Sequence, residues 1–93
     1  MRDYELVLIV KPELQEEDMK GLLDKVGQTL AARGGAIGET APWGKRRLAY
    51  PVKHYREGNY VLLKCKMAPE SLPDLETSLK LTDNVLRYML ARA

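Results

Sequence analysis

Between Trp43 and Lys66 the chain carries seven basic side chains, Lys45, Arg46, Arg47, Lys53, Arg56, Lys64 and Lys66, against a single acid, Glu57. The segment therefore holds a formal charge of +6 in a molecule whose net charge is +2, and everything outside it sums to −4. Cations concentrated in this way on a nearly neutral chain point to a polyanionic partner. A Lys/Arg-rich segment can equally be a solvated surface, and on composition alone the two readings stand level.

Other chemistry is sparse. The chain has one His (His54), one Cys (Cys65) and two Ser (Ser71 and Ser78). A Cys/His zinc site, which draws three or four ligands, is excluded by count. The glycines of Gly34-Gly35-Ala36-Ile37-Gly38 match neither the dinucleotide-binding nor the P-loop spacing. The acids Glu13, Glu16, Glu17 and Asp18 are read as partners of a helix N-terminus rather than as metal ligands. Counting does not exclude a carboxylate enzyme, but no catalytic constellation is recognisable, and no metal, cofactor or small-molecule substrate is expected. His54, between Lys53 and Arg56, reads as a solvated loop residue. A lone cysteine cannot form an internal disulfide, which fits a reducing, cytoplasmic setting. The longest apolar run, Leu6 to Val10, is far shorter than a bilayer span, and Arg2-Asp3 at the start do not resemble a secretion signal. No membrane association is expected.

The elements that must hold the basic segment follow from hydropathy. With 45% apolar and 30% charged residues, positions 1–93 read as one folded domain. Tyr4–Val10 is apolar and stopped by Lys11-Pro12, as a buried strand would be. Met19, Leu22, Leu23, Val26 and Leu30 share one face of a helix predicted over Glu13–Arg33, which Gly34-Gly35 ends. Residues 36–50 read as a second strand, irregular around Pro42-Trp43-Gly44. Residues 51–59 read as a polar connection. Tyr60–Met67 is a third strand, with Val61, Leu63, Cys65 and Met67 on one face and Tyr60, Leu62, Lys64 and Lys66 on the other. A second helix presents Leu72, Leu75 and Leu79, with Pro73 tolerable only in its first turn. Val85–Arg92 is the fourth strand. The order β-α-β-β-α-β predicts an α+β, ferredoxin-like sandwich in which two helices cover one face of a four-stranded antiparallel sheet.

Strand parity then assigns the uncovered face. If Leu6, Leu8 and Val10 meet the helices, Glu5, Val7 and Ile9 point away. On the last strand Leu86, Tyr88 and Leu90 would point in, leaving Val85, Arg87, Met89 and Ala91 outward. The open face is thus expected to combine Val7, Ile9, Leu62, Val85 and Met89 with Lys64, Lys66 and Arg87. An apolar centre with a basic rim suits a protein partner beside a nucleic acid.

The run Gly44-Lys45-Arg46-Arg47-Leu48-Ala49-Tyr50-Pro51-Val52-Lys53 closely resembles the signature of the bacterial small-subunit ribosomal protein six family. Met1-Arg2-Asp3-Tyr4-Glu5 and Asp83-Asn84-Val85-Leu86-Arg87 resemble its flanking segments in the right order, so the resemblance runs from residue 1 to about residue 92. It implies the same ferredoxin-like fold and a non-enzymatic role. That role is binding the central domain of small-subunit ribosomal RNA as a heterodimer with small-subunit ribosomal protein eighteen. Many members carry a charged tail beyond the point where this sequence stops, at Ala93.

On that reading Lys45, Arg46 and Arg47 contact phosphates, with Lys53 and Arg56 beside them and Arg2 and Arg87 carried by the flanking motifs. Phosphate contacts release counterions and position a protein without reading bases, so recognition of a folded RNA by shape is expected. Trp43, Tyr50 and Tyr60 have rings able to stack on unpaired bases, yet Tyr50 is expected at the edge of the core with its hydroxyl outward. The open-face positions Glu5, Val7 and Ile9 lack the aromatics of an RNA-stacking sheet, which makes that face the protein surface. The competing readings are a ferredoxin-like regulatory domain, binding a small ligand and dimerising through its sheet, and a small ferredoxin-like enzyme. The first has no need of the basic segment, and the second lacks a recognisable catalytic constellation.

Overall fold

The computed structural model describes residues 1–93. The chain runs β1 (Arg2–Val10), α1 (Glu16–Ala31), β2 (Ala36–Val52), β3 (Tyr55–Met67), a 3₁₀ turn (Pro69–Ser71), α2 (Leu72–Leu81) and β4 (Val85–Arg92). The strands form one antiparallel sheet in the order β2-β3-β1-β4, so β1 and β3 lie at its centre. This is the ferredoxin-like α+β sandwich that the element order predicts.

Period-two alternation builds the core from the strands. Tyr4, Leu6, Leu8 and Val10 of β1 sit opposite Cys65, Leu63, Val61 and Asn59 of β3. All of these but Asn59 close on Leu22, Val26 and Leu30 of α1 and on Leu75 and Leu79 of α2. Leu6, Leu8, Leu30, Leu63, Met67 and Leu75 are inaccessible to solvent. Each leucine buried in this way stabilises the fold by about 1.5–3 kcal/mol. Met19 and Leu23 pack on the margin of this core.

Helix α1 begins three residues later than the sequence suggests. Residues 11–14 make a turn instead, in which the Leu14 N–H donates to the Lys11 carbonyl at 3.3 Å. Glu16, Glu17 and Asp18 then occupy the first turn, near the positive end of the helix dipole. At the other end Gly34 (φ 79°) reverses the chain, and the Gly35 N–H returns to the Leu30 carbonyl at 2.8 Å. A second bond, Gly34 N–H to the Ala31 carbonyl, completes a Schellman cap. Pro73 lies in the first turn of α2, the one place where its missing N–H costs nothing.

Two departures from the sequence reading bear on function. The stretch 51–59 is not a loose connection. Strand β2 continues to Val52 and β3 begins at Tyr55, so only Lys53 and His54 join them, with φ of 49° and 70°. Positive φ at both central residues is what a type I′ hairpin turn requires. Asn-Gly is its usual sequence, and Lys-His does not announce it. The second departure is in β4. Ile9 pairs with Arg87, but Val10 pairs with Val85, leaving Leu86 as an extra residue. This bulge flips the parity below it, and Val85, 5% exposed, joins the core instead of the open face.

Candidate nucleic-acid and partner interface

The β2–β3 hairpin is longer than the rest of the sheet. β1 ends at Val10, opposite Asn59, so residues 46–57 extend beyond it as an arm. The arm does not stay flat. Between the pairs Arg47–Glu57 and Val52–Tyr55, four residues of β2 (Leu48–Pro51) face a single residue of β3, Arg56. The excess length bends the strand, as bulges do, and turns the tip across the end of β1 towards β4.

Three contacts pin the tip. Arg87 of β4 donates a hydrogen bond to the Tyr50 hydroxyl, and its guanidinium lies 5.6 Å from the centroid of the Tyr50 ring. Lys53 Nζ donates to the Val85 carbonyl at 3.4 Å. The Tyr55 hydroxyl donates to Glu13 Oε1 at 2.6 Å. Lys11 and Asp83 form an ion pair of 2.8 Å between the two loops beneath the arm. The Tyr55 hydrogen bond holds the Glu13 carboxyl below the usual carboxylate range, with Lys11 and Lys45 adding weaker pulls. Lys11 lowers the Asp83 carboxyl in the same way.

The arm roofs part of the open face. Leu48, Ala49, Tyr50 and Val52 come down over Ile9, Tyr60 and Met89, leaving a cleft of about 180 Å³ between them. Ile9 is consequently buried (3% exposed), although parity points it away from the helices. It is a floor for the arm rather than a partner surface. Gly58 permits the approach, because a Cβ there would collide with the Ile9 side chain. Tyr50 also differs from expectation. It is 55% exposed, stands outside the core, and aims its hydroxyl at Arg87.

The rest of the open face is ordered in rows. Leu62, Val7 and Met89 lie side by side across β3, β1 and β4, with Ala41 of β2 continuing the row. One step towards the far end, Glu39, Lys64 and Glu5 form a parallel row of alternating charge, and Lys64 reaches Glu39 at 3.6 Å. Neighbouring opposite charges of this kind suit an exposed sheet.

The pleat divides the basic segment. Arg46, opposite Gly58, shares the open face with Tyr60. Its guanidinium is 5.2 Å from the Trp43 ring centroid and 5.9 Å from that of Tyr60. Lys45 and Arg47 take the opposite side, where Lys45 is near enough to Glu13 to act on its carboxyl. Arg56 and Lys53 are exposed near the tip. The three ion pairs of the molecule, Lys11–Asp83, Arg33–Asp74 and Lys64–Glu39, use no cation of the arm. Arg2, opposite Met67, belongs to the other end of β1, roughly 24 Å from Ile9 at 3.4 Å per residue. Its place in the sequence motif therefore does not bring it to the arm.

Cys65 is enclosed in the core, as its strand position predicts, and burial raises its thiol pKa to about 11. The thiolate that redox or nucleophilic chemistry would need is suppressed at neutral pH. No helix is long and apolar enough to cross a membrane.

Fold and surface together define a small ferredoxin-like protein with a basic arm at one end of its sheet. The sequence model of the family described as Ribosomal protein S6 matches residues 3–92. Small ribosomal subunit protein bS6 of Desulforudis audaxviator (strain MP104C) is 42% identical over 92 residues, covering 99% of this chain and 98% of that protein. The crystal structure of 30S ribosomal protein S6 from Thermotoga maritima superimposes with a TM-score of 0.87 at 28% identity, over 99% of this chain and 87% of that one. The chain belongs to the ribosomal protein S6 family, whose members are non-enzymatic structural proteins of the small ribosomal subunit. A chemotaxis-kinase domain from Thermotoga maritima, at TM-score 0.63 and 15% identity, shares the fold alone.

Proposed function

We propose that this chain acts as a single unit that binds the central domain of small-subunit ribosomal RNA together with small-subunit ribosomal protein eighteen, within the ribosome in the cytoplasm. The arm carries this reading: Arg46, Arg47, Lys53 and Arg56 stand on a hairpin that runs past β1, with Lys45 at its base, and Glu57 is the one acid in that stretch. Cations that form no ion pair on a projecting hairpin suit the phosphate backbone of a folded RNA. Arg87, tied to Tyr50, adds a positive charge at the arm's landing point on β4. Arg2 enters only as a separate contact at the far end of the sheet. The protein partner takes the row Val7, Leu62 and Met89, an apolar strip between the arm and the charged ladder. Val85 and Ile9 drop out of that surface, the first lying in the core and the second under the arm.

The test is a titration against a central-domain fragment of small-subunit ribosomal RNA, with and without ribosomal protein eighteen, at several salt concentrations. A complex that needs the partner and weakens steeply with salt is expected. Absence of a complex with the partner present would overturn the reading.

A further inference from the structure

The Arg46 guanidinium lies over two rings of the β2–β3 hairpin, 5.2 Å from the Trp43 centroid and 5.9 Å from that of Tyr60. The outer member is Trp43, whose indole is 42% exposed. Gly44, next to Trp43, has φ of 82° and no heavy atom near the place a Cβ would occupy. Tyr60 is half-buried and anchors the inner end. The cluster is thus an amphipathic shelf whose outer ring is the exposed indole. Arg46 itself is exposed and has no carboxylate within ion-pair distance, while Lys45 and Arg47 project from the opposite side of the strand.

We propose that Trp43, held by Arg46, is a stacking platform for an unpaired RNA base. This rests on the reading of the chain as an RNA-binding protein and adds a contact of a different physical kind. Phosphate contacts are electrostatic and vary with salt; stacking on an indole is neither. The guanidinium fixes the ring plane in advance, so little side-chain freedom is lost when a base arrives. A protein anchor would also use Trp and Arg, but Arg46, exposed and in no ion pair, favours a polyanion.

Trp43 is the chain's one tryptophan, so its emission reports this site alone. The experiment titrates the whole protein, with ribosomal protein eighteen, against the central-domain RNA fragment and against a fully paired RNA duplex. Mobility shift and indole fluorescence are recorded together. The platform predicts quenching by the fragment with the same midpoint as complex formation, and none by the duplex. Trp43→Leu should weaken the complex about 10- to 100-fold while leaving the salt slope unchanged and lowering the thermal midpoint only slightly. Arg46→Lys, which keeps the charge and loses the planar stack, should show part of that loss. A complex that forms with unchanged indole emission overturns the platform and leaves the RNA-binding reading intact. Equal quenching by the duplex, or an emission change on adding ribosomal protein eighteen without RNA, also overturns it. If no complex forms at all, the RNA-binding reading falls and the platform falls with it.

Discussion

Arg87 of β4 lies over the ring of Tyr50 and donates a hydrogen bond to its hydroxyl, although the two residues are 37 positions apart and their strands occupy opposite edges of the sheet. One side chain pair therefore closes the β2–β3 arm over the sheet. It also occupies Arg87, so this cation acts from a fixed position. Tyr50→Phe removes the hydrogen bond and should cost about 0.5–1.5 kcal/mol in a denaturant melt. Tyr50→Ala removes the ring as well. It should speed amide exchange in residues 46–57 while leaving β1 and the core half of β3 protected. Uniform loss of protection would mean that the arm unfolds only with the whole molecule.

Gly58, at the base of the arm, lies against Ile9 of the sheet. Gly58→Ala drives a methyl group into the Ile9 side chain and should destabilise by about 1–3 kcal/mol, as overpacking does. In an Ile9→Ala background the added methyl has room, so its cost should shrink. A double-mutant cycle by urea denaturation measures that coupling. Additive effects would show that the arm is not seated on Ile9.

Acid should loosen the base of the arm. Glu13 and Asp83 both have folded pKa values below their ordinary range, held there by Tyr55 and Lys11 respectively. Lowered folded values mean that the unfolded chain binds protons first as pH falls. The stabilisation is present above the ordinary carboxylate pKa of about 4 and is lost as pH drops through the folded values. At the other extreme Lys11 and Tyr55 are raised by the same partners. Their stabilisation is complete below their unfolded values of about 10 and disappears as pH rises through the folded ones. Stability from chemical melts should be level between these limbs. Glu13→Gln should flatten the acid limb in part; an acid limb identical to wild type would show that the Tyr55–Glu13 bond contributes nothing.

The two arginines that follow Lys45 should separate by function. Arg46 is engaged by Trp43 and Tyr60, so Arg46→Ala should cost about 0.5–1 kcal/mol of stability. Arg47 has no such contact, and Arg47→Ala should leave the melt unchanged. If both meet RNA phosphates, the double substitution should reduce the salt slope of binding by about 1.4–1.8. An unchanged slope would assign both residues to the protein's own surface.

Much of this could be read from the chain. Alternation at Val61, Leu63, Cys65 and Met67 named the buried face of β3, and the spacing of Leu22, Val26 and Leu30 named that of α1. Local periodicity carries this information because a strand or helix must turn its apolar residues to one side. The order of elements then left the ferredoxin-like sandwich as the natural closure. The charge anomaly and the signature around Lys45–Lys53 marked the basic segment and its family in advance.

What the sequence could not determine were the events that depend on residues far apart. One extra residue in β4 moved Val85 into the core, because a bulge reverses the side on which every earlier residue of the strand points. A two-residue turn at Lys53-His54, without the usual glycine, made an ordered arm of what reads as a loop. The arm's curl buried Ile9 and gave Arg87 to Tyr50. The chain's composition and periodicity set its elements and its charge. Only tertiary packing settled which basic residues stand free, which are held, and how much of the sheet remains open, since those depend on contacts that no local pattern encodes.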